Sequence, residues 1–122
     1  MVRQYRNALE RETLEIPAGK LDTPGEQGIV CSRRELEEET GLRAGKLTYL
    51  GYLLASPGFC DERLHMFLAQ ELEHLDSHPD EDEFLDVFTM PYSELLSKVM
   101  AGELHDAKSV AITLKTKVLL GL

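Results

Sequence analysis

Tryptophan is missing from this chain, cysteine occurs twice, and aromatic residues fill only 7% of its 122 positions. Two cysteines, Cys31 and Cys60, cannot staple a small domain the way a disulfide-rich scaffold is stapled. Neither lies in a CxxC or Cys/His spacing, which argues against a zinc site. Basic residues are outnumbered, 13 Lys+Arg against 22 Asp+Glu, for a net charge of −9. A surface that acidic repels a phosphate backbone and excludes a general DNA or RNA binder. It also disfavours an anionic small molecule, unless metal ions and local arginines gather at the site. No apolar run approaches the roughly 18–20 residues that cross a bilayer. The start, Met1-Val2-Arg3-Gln4-Tyr5-Arg6, has no apolar stretch of leader length behind its basic residues. These absences predict a cytoplasmic protein without a membrane contact.

What remains is ordinary for a globular chain: 43% apolar and 29% charged residues, on a length that suits one domain spanning 1–122. Residues 2–6 alternate loosely and predict a strand, with a second short one at Leu14-Glu15-Ile16-Pro17 and a polar hairpin connection, Asn7 to Glu12, between them. A helix is expected from about Gln27 to Thr40, closed by Gly41. Strands follow at Leu47–Ala55, Leu64–Leu72 and Glu83–Thr89, with an acidic loop at Glu71–Asp82. Pro91 opens a helix over Tyr92–Ala101. Val110, Ile112, Leu114, Val118 and Leu119 give the last stretch, Ala107–Leu120, helical spacing. Strands on both sides of one helix, with helices at the end, predict an α/β or α+β domain.

The densest signal is Arg33-Arg34-Glu35-Leu36-Glu37-Glu38-Glu39-Thr40-Gly41-Leu42. At about 100° per residue, Glu35, Glu38 and Glu39 share one arc of a helix, while Ile29, Leu36 and Thr40 form a separate stripe able to face a core. Like charges one turn apart repel by a few tenths of a kcal/mol per pair. A hard divalent cation offsets that repulsion, because Mg²⁺ prefers carboxylate oxygens and keeps several of its waters. On charge pattern alone, a solvated face neutralised by Arg33 and Arg34 explains the run more readily.

The flanking residues reverse that balance. Gly19, Glu26 and Arg34-Glu35-Leu36-x-Glu38-Glu39-x-Gly41-Leu42 resemble the Nudix box, G-x5-E-x7-R-E-U-x-E-E-x-G-U with U aliphatic. Seven residues separate Glu26 from Arg34, as in the box; six rather than five separate Gly19 from Glu26, the extra one falling in the loop around Thr23. Arg3-Gln4-Tyr5-Arg6, Leu14-Glu15-Ile16-Pro17-Ala18-Gly19, Ser56-Pro57-Gly58, Asp80-Glu81-Asp82-Glu83 and Gly102-Glu103-Leu104-x-Asp106-Ala107-Lys108 are similar to the ADP-ribose pyrophosphatase subgroup. The resemblance implies a Nudix-type α/β/α sandwich with a mixed sheet. It also implies Mg²⁺-dependent hydrolysis (Mn²⁺ being an alternative ion) of a nucleoside diphosphate linked to another moiety, ADP-ribose first among them. Subgroup members begin several dozen residues earlier, so a homodimer is expected where those N-terminal strands are present.

By the same resemblance, Glu35, Glu38, Glu39 and the Ala18 carbonyl are the metal ligands, and Arg34 orients a box carboxylate, with Glu26 its expected partner. Arg6, and secondarily Arg3, supply forked donors for the diphosphate or terminal ribose. A spacing of three on a strand sends these two to opposite faces, so at most one of them points into a given pocket. Glu15 either binds substrate or pairs with an arginine. Pro57 and Glu62 belong to the pocket after the box, and Glu81 or Glu83 is the expected general base on a closing loop. Two rivals stand beside this reading: a hydrolase of another nucleotide sugar or dinucleotide, and a non-catalytic ADP-ribose-binding sensor. Retention of Glu35, Glu38 and Glu39 argues against the second.

Overall fold

Two strands facing each other across a polar turn make the N-terminal hairpin. β1 (Val2–Arg6) pairs antiparallel with β2 (Arg11–Glu15), in a register running from Val2↔Glu15 to Arg6↔Arg11. β2 starts three residues earlier than its apolar residues suggest, because Arg11, Glu12 and Thr13 answer Arg6, Tyr5 and Gln4 in the ladder. Such main-chain pairing asks nothing of side-chain polarity on an exposed face. In this computed structural model, the described residues are 1–19, 28–75 and 86–122, and the chain divides into two units.

The first unit, Met1–Ile16 with Leu85–Leu122, holds a three-stranded sheet in the order β2-β1-β5, where β5 is Asp86–Val87. Val2 and Arg3 pair with Val87 and Asp86, and the Phe88 N–H donates to the Met1 carbonyl. The rest of the expected Glu83–Thr89 strand is partly outside the described residues. Helices α2 (Tyr92–Met100) and α3 (Ala107–Leu120) follow, close to the expected bounds, with Pro91 as the residue preceding α2. α2 ends with Gly102 at φ 75°, where the Glu103 and Gly102 N–H groups close on the Lys98 and Val99 carbonyls. A left-handed residue that is cheap only for glycine thus satisfies the terminal carbonyls. Asp106 caps α3 by accepting from the Ser109 N–H.

The α3 face that is buried differs from the apolar spacing. Ser109, Thr113 and Thr116 are its buried residues, whereas Val118 is 83% exposed. The hydroxyls are already satisfied, Thr113 by donating to the Ser109 carbonyl and Ser109 by Asp106 and the Ile16 N–H. Burying them therefore costs little. Tyr92 Oη joins α2 to α3 by donating to the Thr113 carbonyl.

The second unit, Pro17–Phe84, contains α1 (Gly28–Thr40) and a long antiparallel ribbon of β3 (Leu42–Leu54) and β4 (Arg63–His74). Both strands outrun the apolar stretches that announce them. Glu73 and His74, expected in the acidic loop, continue the ladder from Leu72, with Leu72 opposite Ala44, Glu73 opposite Arg43 and His74 opposite Leu42, while the Arg43 guanidinium reaches Glu37 on α1 at 3.2 Å. Leu50, Met66 and Ala44 are buried on this unit. Between Tyr49 and Tyr52 the register slips by one residue, at Gly51 with φ 95°. Helices with antiparallel sheets make an α+β chain; the parallel pairing of a mixed sheet does not occur among the described residues.

Candidate functional site

The site residues fall into two groups, one in each unit. In the second unit, α1 ends at Thr40, whose hydroxyl donates to the Leu36 carbonyl and accepts from the Leu42 N–H. Gly41 follows at φ 70° and turns the chain into β3. Arg33 reaches the Ala44 carbonyl at 3.0 Å and ties the helix to that strand. The stripe expected to anchor α1 is only partly inside: the buried residues are Cys31 and Glu39, while Ile29 is exposed. Cys31 is thus a packing residue, and Cys60 is exposed.

The three carboxylates occupy graded environments. Glu39 is 8% exposed, the Glu35 side chain 16%, and the Glu38 side chain 52%. Arg34 donates from Nη1 to Glu35 Oε1 at 2.9 Å and to Glu38 Oε2 at 3.4 Å. Of the two arginines expected to neutralise this face, Arg34 makes the carboxylate contacts and Arg33 serves the strand. Glu26, expected beside Arg34, lies outside the described residues, as do Glu81 and Glu83.

Gly19 passes directly against Glu35. A Cβ built on Gly19 would stand 2.1 Å from Glu35 Cδ and 2.3 Å from Oε2. A methyl here would have to push aside the Glu35 carboxylate, which Arg34 holds, and Ala18 is the residue next to that contact. Among the described residues no three His, Cys, Asp or Glu side chains converge on one point. Mg²⁺ needs no such cage, since one or two carboxylates with retained waters satisfy it. Two carboxylates one helical turn apart beside a backbone segment stripped of side chain suit that demand, so the donor set fits the ion.

Pro57 and Glu62 lie in the exposed connection from β3 to β4. It is held at its base by the Ala55 N–H on the Glu62 carbonyl, and within by Phe59 and Cys60 N–H groups on the Ser56 carbonyl. On the ribbon itself, His65 Nδ1 lies 2.8 Å from Tyr49 Oη.

In the first unit the structure assembles Arg6 and Glu15 into an ion pair. Arg6 Nε and Nη2 donate to the Glu15 oxygens at 2.8 and 2.6 Å. Lys108 Nζ adds a bond to Glu15 Oε1 at 2.7 Å, and Thr13 Oγ1 donates to Oε2. Burial alone would push the Glu15 carboxyl up, but the Arg6, Lys108 and Thr13 donors and the Lys108 charge outweigh it and hold it at about 2. Lys108 also bonds Asp106, whose carboxylate receives Ser109 Oγ. Lys108 is the partner of Glu15 that sequence reasoning missed, although its segment had been singled out, and Asp106 holds Lys108 in turn. Arg3 lies over the Phe88 ring at 4.9 Å, apart from Arg6 as the strand spacing requires.

The NUDIX domain family matches residues 1–111. A protein of Bacillus subtilis (strain 168) named ADP-ribose pyrophosphatase is 48% identical over 111 residues, which are 89% of this chain and 60% of that protein. A protein of Bacillus methanolicus named methanol dehydrogenase activator is 41% identical over 112 residues, 90% of this chain and 60% of that protein. A crystal structure described as an ADP compounds hydrolase superposes with a TM-score of 0.85 at 27% identity, over 98% of this chain and 64% of that one. The chain therefore spans about 60% of the length of these curated relatives.

Proposed function

Because the chain belongs to the NUDIX domain family, we propose that it is a pyrophosphohydrolase acting on a nucleoside diphosphate joined to a second group. ADP-ribose is the substrate, and AMP and ribose 5-phosphate are the products. The observation that carries this reading is the α1 carboxylate arc, with Glu39 buried and Glu35 met by the bare backbone of Gly19. The names of the Bacillus subtilis relative and of the superposed hydrolase support an ADP-containing substrate. In the reaction, water adds to one phosphorus, the P–O bond to the bridging oxygen breaks, and the other phosphate leaves with that oxygen.

Glu35 and Glu39, with the Ala18 carbonyl, would hold Mg²⁺, and Glu38 stands beside them. Bound there, Mg²⁺ neutralises diphosphate charge and lowers the pKa of water. Arg34 keeps Glu35 and Glu38 oriented through charge-assisted bonds. Arg6, held by Glu15 through its Nε and Nη2, is the cation assigned to the diphosphate or the terminal ribose, and Arg3 is the secondary one. Pro57 and Glu62 line the substrate, and Glu81 or Glu83 accepts the proton of the attacking water. The proposal takes residues 1–122 as one domain, working in the cytoplasm and as a homodimer where N-terminal strands are present. The span of the family match, 1–111, supports the single domain. No described helix is long and apolar enough to cross a membrane.

Mg²⁺-dependent turnover of ADP-ribose, with product separation and a panel of nucleotide sugars, tests this. Equimolar AMP and ribose 5-phosphate, abolished by chelation, are expected. Turnover of another panel member alone would overturn the substrate, and no turnover of any would overturn the activity. Gly19→Ala follows from the same geometry. The new methyl displaces the Glu35 carboxylate, so the Mg²⁺ concentration for half-maximal rate rises about 10- to 100-fold, the range found when a ligand's support is lost. An unchanged Mg²⁺ dependence would separate Gly19 from the metal site.

A further inference from the structure

The first unit contains a cavity of about 400 Å³ lined by Arg3, the secondary cation above, and by Arg11, Lys98 and His105 with Glu12 and Glu103 among them, residues that the proposed chemistry does not use. Its construction follows from elements already described. β2 is the edge strand of its sheet, and the turn ending α2 brings Glu103 back to Lys98. Leu104 is buried, so its exposed neighbours Glu103 and His105 flank a fixed point. Arg11 Nη2 lies 3.4 Å from His105 Nδ1. That contact sets the His105 ring beside the Arg11 guanidinium at the cavity. Lys98 and Glu103 form a long, exposed pair at 3.6 Å of the kind that yields readily to a competing anion.

Three of the 13 basic residues thus line one cavity of a chain whose net charge is −9. Against them stand two carboxylates, an excess of positive charge where the rest of the molecule has the opposite balance. Arginine forks match phosphate oxygens bidentately. The volume lies in the range that encloses small ligands, and the overall charge excludes a nucleic acid strand as occupant. We infer that this cavity is a binding site for the phosphate group of a phosphomonoester, built wholly from residues of the first unit. Hydrolysis of a nucleoside diphosphate derivative yields two such esters, so the choice of ligand, and that alone, rests on the proposed function.

The test uses the whole chain without divalent ions, so turnover does not enter it. Inorganic phosphate, AMP and ribose 5-phosphate are titrated separately while the His105 ring resonances, identified with His105→Gln, are followed by NMR. A saturable His105 shift is expected, with Arg11→Ala and Lys98→Gln each weakening binding at least tenfold and Glu39→Gln binding as the parent does. Equal affinity for the three ligands assigns recognition to the phosphate alone, and preference for AMP extends it to the nucleoside. A His105 signal that stays fixed, or unchanged affinity in both Arg11→Ala and Lys98→Gln, overturns the site. Neither result touches the α1 reaction, which the turnover assay judges separately.

Discussion

Glu39→Gln lowers metal-dependent turnover about 100- to 1,000-fold while the chain stays folded. The removed charge is the one proposed to hold Mg²⁺, the cation that would offset the negative charge growing on the diphosphate in the transition state. A loss of that size corresponds to about 3–4 kcal/mol at 1.36 kcal/mol per tenfold, the scale of one preorganised electrostatic group in a water-poor site. Burial sharpens the expectation. Glu39 is 8% exposed, so its interactions are screened less than those of Glu38, whose side chain is 52% exposed. Glu38→Gln is therefore the milder change, about tenfold in rate by the same conversion. Steady-state kinetics at saturating Mg²⁺, beside circular-dichroism melts, decide the matter. Equal rates in Glu39→Gln and the parent would remove the carboxylate arc from the mechanism.

The second large effect is on stability. Glu15→Gln costs about 2–4 kcal/mol at pH 7, since it leaves Arg6 and Lys108 facing a neutral amide in a half-buried setting where a lost partner costs several kcal/mol. The pH dependence has a definite sign. The folded carboxyl sits at about 2 against an ordinary 4.5, so its contribution is complete above pH 4.5 and fades as pH falls towards 2. Urea titrations at pH 7, 4 and 3 should find the parent's advantage over Glu15→Gln shrinking stepwise. An advantage that stays constant across that range would mean the carboxylate's charge is not what the network stabilises.

The helix carrying the carboxylates was legible because its own residues say where it stops. Thr40 and Gly41 close it as expected, and α3 keeps its expected bounds at Ala107 and Leu120. What α3 buries was illegible, because an apolar count passes over Ser109, Thr113 and Thr116, and the Ser109 and Thr113 hydroxyls become buriable only once each has found a partner. Arg6 teaches a related lesson. A sequence can offer Glu15 as a partner for some arginine, but the third donor is Lys108, 93 residues further on, and no local spacing announces it. β3 and β4 were underestimated for a different reason: Arg43 and Glu73 look like loop residues singly and become strand residues by facing each other.

The slip at Gly51 gives the ribbon a change of parity. Tyr49 and Tyr52 are an odd number of residues apart, while their partners Phe67 and His65 are an even number apart. Both tyrosines nonetheless contact the His65 ring, at 5.8 and 5.7 Å. An extra residue in one strand of a pair converts odd into even. Everything from Tyr52 onward inherits that inversion, including which way the chain is aimed when it enters the connection bearing Pro57 and Glu62. Straightening the slip with every residue kept would turn Tyr52 and Leu54 to the face that Leu50 buries and turn Leu53 out, whereas deleting Gly51 would leave all three where they are. The heading of the Pro57 connection is thus encoded a short distance upstream, by a glycine that touches no ligand.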